Sequence, residues 1–211
     1  MGSRIMHLII ADQIAKKINL KEKAAFILGG IAPDAVSPKE VTHFYTGDVT
    51  DFTRSIDYEG FIRKYSGKEQ SDYILGYYTH LIADDLWLKG FYLPWLKNRM
   101  ENDANIFTLY HGDFHVLNAK LADHYGVTQD LLEDMEGLHL IPDLEEVAAA
   151  EVMEFLPYLN EDLAYCEGDL DKALTVFTFD QIIGYIETSV EKGLLYLRGC
   201  LAPEQFRCNS E

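Results

Sequence analysis

Residues 71–90 read SDYILGYYTHLIADDLWLKG. From Tyr73 to Trp87 the run is nearly all apolar or aromatic, with Ser71 ahead of it and Pro94 just beyond its end. This predicts a buried helix from about Ser71 to Gly90. His80 and Asp84 stand four apart in it, so an imidazole and a carboxylate share one face with roots about 5–6 Å apart. In so apolar a helix both need a partner, because an unpaired buried charge is costly. Taken alone, the pair reads first as a hydrogen bond across one helical turn. The same spacing also lets the two side chains share a cation.

Helical periodicity extends outward in both directions. Residues 3–18 place Ile5, Leu8, Ile9, Ile14, Ala15 and Ile18 at three-to-four spacing, with Ser3 as N-cap. Asn19 and Glu22 have the spacing of a capping box and open a helix from Lys21 to about Gly30, which Pro33 punctuates. Residues 34–56 carry turn signals and no sustained period, the kind of long irregular stretch that is often functional. Further helices are expected over Asp57–Tyr65, Ile106–Tyr125 (stopped by Gly126), after Thr128, over Asp143–Glu154 with Pro157 interrupting, and from Thr178 to about Leu197. No alternating strand and no fixed-period repeat is evident. The expectation is an all-α single domain over residues 1–200, seven to nine helices in all, with 201–211 a flexible tail.

The 211 residues carry 48% hydrophobic and 25% charged side chains, which excludes disorder and low complexity. Lys plus Arg is 18 against 35 Asp plus Glu, a formal charge of −17. Such a surface repels phosphate backbones and anionic headgroups and attracts divalent cations. Nucleic-acid coating and electrostatic membrane docking are therefore poor expectations. No apolar run is long enough for a transmembrane span, and residues 5–17 read as an amphipathic helix rather than a signal peptide. Cys166, Cys200 and Cys208 have no ligand-type spacing and read as reduced thiols in a cytoplasmic protein.

Three more residues extend the pair in the strong helix. His7 falls near the apolar side of the first helix, where a lone histidine is ordinarily a core residue. Asp34 follows Pro33 at a helix end, where the carbonyl pole would repel a carboxylate unless something positive compensates; it is equally a surface turn residue. His43 sits in Val41-Thr42-His43-Phe44 within the irregular stretch. In order these are an N-terminal helix with His7, Gly30-Ile31-Ala32-Pro33-Asp34, Thr42-His43-Phe44, and Gly76-Tyr77-x-x-His80-x-x-x-Asp84-x-x-Trp87. The series resembles the zinc-dependent phospholipase C family over about residues 3–90.

That resemblance implies an all-helical bundle with a metal cleft. In the secreted bacterial phospholipases and the related fungal single-strand nucleases, three zinc ions cleave phosphodiesters. By the same pattern Asp34, His43, His80 and Asp84 would hold one metal, and Asp84 would bridge to a second bound by His7. Asp34 would also assist as general base. The ligand types agree, since imidazole and carboxylate suit zinc, manganese or iron, and sulfur is absent. Two ions about 3.5–4 Å apart can hold a hydroxide and stabilise the charge that develops on a phosphoryl group.

The chain also departs from the pattern. Met1-Gly2-Ser3 precedes the first helix where the secreted enzymes present a processed terminus, and Gly90 stands where they have a histidine. Their later His-x-x-x-Glu has only a loose echo in His111-Gly112-Asp113-Phe114-His115. His111 and His115 would complete a site or form a partly exposed polar face. One or two ions are expected rather than three.

His124 reads as a C-terminal helix charge, His139 has no role, and the acidic clusters read as solvated faces. Most of the aromatics around the ligands read as core, a minority as an apolar wall for an acyl chain or base. Lys89, Lys97 and Arg99 are the nearest cations after the His80 helix. The expected function is hydrolysis of a small phosphoester or lipid-like substrate. The alternatives are an HD-type phosphohydrolase, disfavoured because no adjacent His-Asp pair occurs, and a non-enzymatic helical scaffold with a structural or vestigial metal.

Overall fold

The structure is a computed structural model that describes residues 2–66, 71–136 and 141–206, with only the backbone of Glu136. It is all-α. Helix α1 (Arg4–Lys17) leads to α2 (Lys23–Ile31), a 3-10 turn (Ala32–Asp34) and the short α3 (Lys39–Thr42). Two-residue strands β1 (Tyr45–Thr46) and β2 (Ser55–Ile56) pair antiparallel, Tyr45 opposite Ile56, ahead of α4 (Tyr58–Lys64). The chain continues through α5 (Asp72–Trp87), a π-helical segment (Leu88–Leu96), α6 (Lys97–Asn102), α7 (Asn105–Tyr125) and α8 (Asp130–Glu136). It closes with α9 (Ala149–Leu163), α10 (Glu167–Leu170), α11 (Phe179–Leu197) and a 3-10 turn (Pro203–Gln205).

Helix α5 is the axis of the domain. Fourteen of its sixteen residues are buried, because α1, α2, α4 and α11 all pack on it. An all-round apolar helix is stable only with such cover. The crossing with α2 is unusually close. A Cβ added at Gly76 would lie 1.9 Å from the Phe26 carbonyl oxygen, and one at Gly29 would lie 2.0 Å from that of Tyr73. Gly30 faces α1, where an added Cβ would fall 2.6 Å from the Ala11 methyl. These glycines let α2 and α5 approach until backbone meets backbone and let α1 sit close against α2, and the approach draws His7, Asp34 and His80 toward one point.

Several caps act as the sequence predicts. Ser3 Oγ accepts from Met6 N, Ser71 Oγ from Ile74 N, and Thr178 with Gln181 forms a reciprocal capping box. Gly126 ends α7 with a left-handed φ of 64°. Other expectations need correction. Asn19 makes no capping box with Glu22, since its N–H donates to the Gln205 carbonyl at 2.6 Å, and α2 starts at Lys23. Beside it Ile18 bridges Phe206, so residues 203–206 of the expected tail are tied to the body. Residues 207–211, with Cys208, lie outside the described residues.

Asp143 does not begin a helix. Its carboxylate accepts from Ala149 N at the start of α9. Pro157 sits inside α9 on its exposed side, where the carbonyl left without a donor can turn to water. Likewise Pro94 is absorbed in the π-helical segment, which carries the chain past the predicted end at Gly90. That segment stacks Phe91 on Trp87 (centroids 4.7 Å apart) and sets Trp95 against Phe177. Most of the aromatics are core, as expected. Phe52 is an exception, half exposed beneath the Lys97 ammonium.

Candidate metal centre

Four elements deliver the five residues singled out in the sequence. His7 comes from α1, Asp34 from the turn after α2, His43 from the end of α3, and His80 with Asp84 from α5. Ligand atoms of His43, His80 and Asp84 lie within 4.8 Å of one another, and so do those of His7, Asp34 and His80. Asp84 is the hub. Its Oδ1 is 3.2 Å from His7 Nε2, and its Oδ2 is 3.2 Å from His43 Nε2 and 3.7 Å from His80 Nε2. Asp34 Oδ1 is 3.6 Å from His43 Nε2. The His7 and His80 rings stack at 3.8 Å. The side chains of His7, His43, His80 and Asp84 are fully buried, and that of Asp34 is 4% exposed.

The outer hydrogen bonds assign the ring tautomers. His80 Nδ1 lies 2.8 Å from the Gly30 carbonyl, which can only accept, so Nδ1 carries the hydrogen. His43 Nδ1 lies 3.1 Å from the Lys39 carbonyl and 2.8 Å from Thr42 Oγ1, and it too must donate. In their neutral forms both rings therefore aim an Nε2 lone pair inward, and these two atoms are only 3.4 Å apart. His7 Nδ1 is buried with no hydrogen-bond partner among the described residues. Inward lone pairs with two carboxylates beside them form a donor set that requires a cation or a proton.

Electrostatics divide the histidines. Burial lowers the pKa of His43, but the carboxylates of Asp34 and Asp84 outweigh it and raise the value above the usual imidazole range. Burial and the charge of His7 push His80 down to about 4. For Asp34 burial acts upward, yet His43, His80 and Lys39 hold it well below the usual carboxylate range. Asp84 is likewise held low against burial by the positive charge around it, including the three imidazoles. Of His43 and His80, His43 is therefore the one that holds a proton more readily when no other cation is present.

A cleft of about 540 Å³ opens beside this cluster, with Asp34 in its wall. Arg4, Lys39, Tyr110 and Phe114 also line it, as do His111 and His115. For the last two, counted among the candidate ligands, the exposed polar face is the alternative that the structure supports. Both are exposed on α7 and belong to neither ligand group among the described residues. The inward position of that turn is taken by Asp113, whose carboxylate accepts from Thr175, Val176 and Phe177 N–H groups and pins the approach to α11. Nothing in a single sequence distinguished Asp113 from a surface acid.

None of Lys89, Lys97 and Arg99 lines the cleft. Lys89 bonds Asp85, Lys97 pairs with Glu101, and Arg99 lies over Trp95. The cleft is lined instead by Arg4, 2.7 Å from Asp162, and by Lys39, whose ammonium contacts Asp34 Oδ1. His124 is exposed beside Tyr125 and Phe179, and His139 lies outside the described residues.

No family model, curated protein or solved structure matches the chain. No helix among the described residues is long and apolar enough to cross a membrane.

Proposed function

We propose that the protein is a metal-dependent hydrolase of phosphoester bonds, phospholipase C-like in its chemistry. The observation that carries the reading is the pair of Nε2 atoms of His43 and His80 turned toward each other beside Asp84. His43, His80, Asp84 and Asp34 would hold one divalent ion of the zinc type, and His7 with Asp84 would supply ligands toward a second. When bound, such an ion polarises a phosphoryl oxygen and lowers the pKa of water enough for attack at neutral pH. Asp34 alone among these residues lines the cleft, so it faces both the ion and the substrate. Its lowered pKa keeps it ionised, which suits it to orient the attacking water more than to retain its proton. A soluble phosphoester fits the −17 charge better than an anionic membrane surface.

The test is a screen of zinc- and manganese-loaded protein against p-nitrophenyl phosphate and bis(p-nitrophenyl) phosphate. Turnover is expected on at least one, abolished by a chelator and by His80→Ala, and unchanged by His124→Ala. The rival reading, a structural ion in a scaffold, draws on the complete burial of four of the five side chains. It predicts tightly held metal and no turnover on either chromogen.

A pH dependence follows from His43. Its raised pKa means that the metal-free protein holds a proton on Nε2 at and somewhat above the ordinary imidazole value of 6.5. A ligating imidazole must be neutral, so uptake of an ion displaces that proton. Metal affinity is therefore expected to rise by up to about tenfold per pH unit until the pKa of His43 is passed, then level off. Calorimetric titration near pH 6.5, repeated in buffers of different ionisation enthalpy, should report proton release on ion uptake. Release of none would contradict the assignment of the proton to His43.

A further inference from the structure

Lys39 begins α3, and its backbone carbonyl already orients His43. Its side chain does something separate. The ammonium is half exposed in the cleft and contacts Asp34 Oδ1, on the carboxylate that faces the cluster. The other cation of the cleft, Arg4, is occupied. It bonds Asp162 at 2.7 Å and lies over the rings of Phe155 and Tyr158. Among the described residues the ion pair of Lys39 is with Asp34, which is also a candidate metal ligand.

Those two roles conflict unless a third charge arrives. A divalent ion held by the cluster would take up the charge of its carboxylates and leave the ammonium of Lys39 without its counter-charge. An anion in the cleft resolves this, provided that its oxygens can reach the ion and the ammonium together. A phosphoryl group has that charge and several acceptor oxygens. We infer that Lys39 is the phosphoryl-recognition cation of the cleft, paired with Asp34 until an ion takes that carboxylate and then with an oxygen of the substrate phosphate. The inference rests on the metal centre proposed above and specifies what its cleft selects. The ligand is an anionic phosphoryl compound, and the organic part it carries faces the Tyr110, Phe114 and Phe155 side of the cleft.

The experiment is calorimetric binding of phenylphosphonate, a phosphoryl anion that hydrolysis does not consume, to zinc-loaded wild type, Lys39→Met and Lys39→Arg. Metal content is first shown to be equal in all three. Wild type should bind it, Lys39→Met should bind about 10-fold more weakly or worse, and Lys39→Arg should recover most of the loss. Equal affinity in wild type and Lys39→Met, or no binding by wild type, would overturn the inference. Lys39-dependent binding without turnover of either chromogen would uphold it while removing the hydrolase reading. Turnover with Lys39-independent binding would do the reverse.

Discussion

Gly76→Ala should be the most damaging single methyl group in this protein. Its Cβ would sit 1.9 Å from Phe26 O, 2.8 Å from Phe26 C and 3.0 Å from Gly30 N. All three are backbone atoms of α2, so no rotamer change relieves the overlap, and the α2–α5 pair must separate. Separation opens the tightest contact of the core and draws the Gly30 carbonyl away from His80 Nδ1, which now lie 2.8 Å apart. A stability loss of at least about 3 kcal/mol is expected, in the range of severe overpacking, together with loss of metal uptake. Gly184→Ala is the control. It lies in α11 with nothing within 4 Å of a new Cβ, so alanine there should raise stability by up to about 1 kcal/mol. Urea unfolding followed by circular dichroism measures both. A Gly76→Ala midpoint equal to wild type would mean that the two helices do not cross as described.

Asp84→Asn should have the second largest effect, on chemistry rather than on the fold. The carboxylate lies within 3.7 Å of the Nε2 atoms of His7, His43 and His80. Asparagine keeps the shape but removes the charge that balances a cation, and its amide hydrogens would compete for the imidazole lone pairs. Metal affinity should fall by at least about 100-fold, because replacing even an outer partner of a ligand costs 10–100-fold. Far-ultraviolet circular dichroism should stay helical, since the glycine contacts of α5 are untouched. His43 should also lose much of its elevated pKa, because Asp84 is one of the two carboxylates that raise it. Undiminished metal binding in this variant would remove Asp84 as the hub.

Helices were legible where a local rule sufficed. The caps at Ser3, Ser71 and Thr178, the stop at Gly126 and the apolar run of α5 each follow from residues within one or two turns. Errors came where distant chain supplied the partner. Asn19 spends its hydrogen bonds on residues 204 and 205, and Asp143 acts on Ala149 from outside α9. Pro94 and Pro157 signal breaks in the sequence because a proline removes one donor, yet a widened turn and an exposed helix face accommodate them.

The site divides in the same way. Five residues spread from position 7 to position 84 were named from their types and order, and the structure brings them together. His111 and His115 were drawn in by their i, i+4 spacing, which fixes a shared face but not what that face meets. Lys39 and Arg4 went unread because nothing local distinguishes a cation in a cleft from one on an open surface. Their significance comes from Asp34, Asp162 and the rings around them.

The cation itself is the central claim, and elemental analysis of protein purified without chelators addresses it most directly. About one or two equivalents of a transition metal per chain are expected, held through dialysis. Protein that emerges without metal and takes up none from added zinc would show that the buried imidazoles and carboxylates are balanced by protons alone.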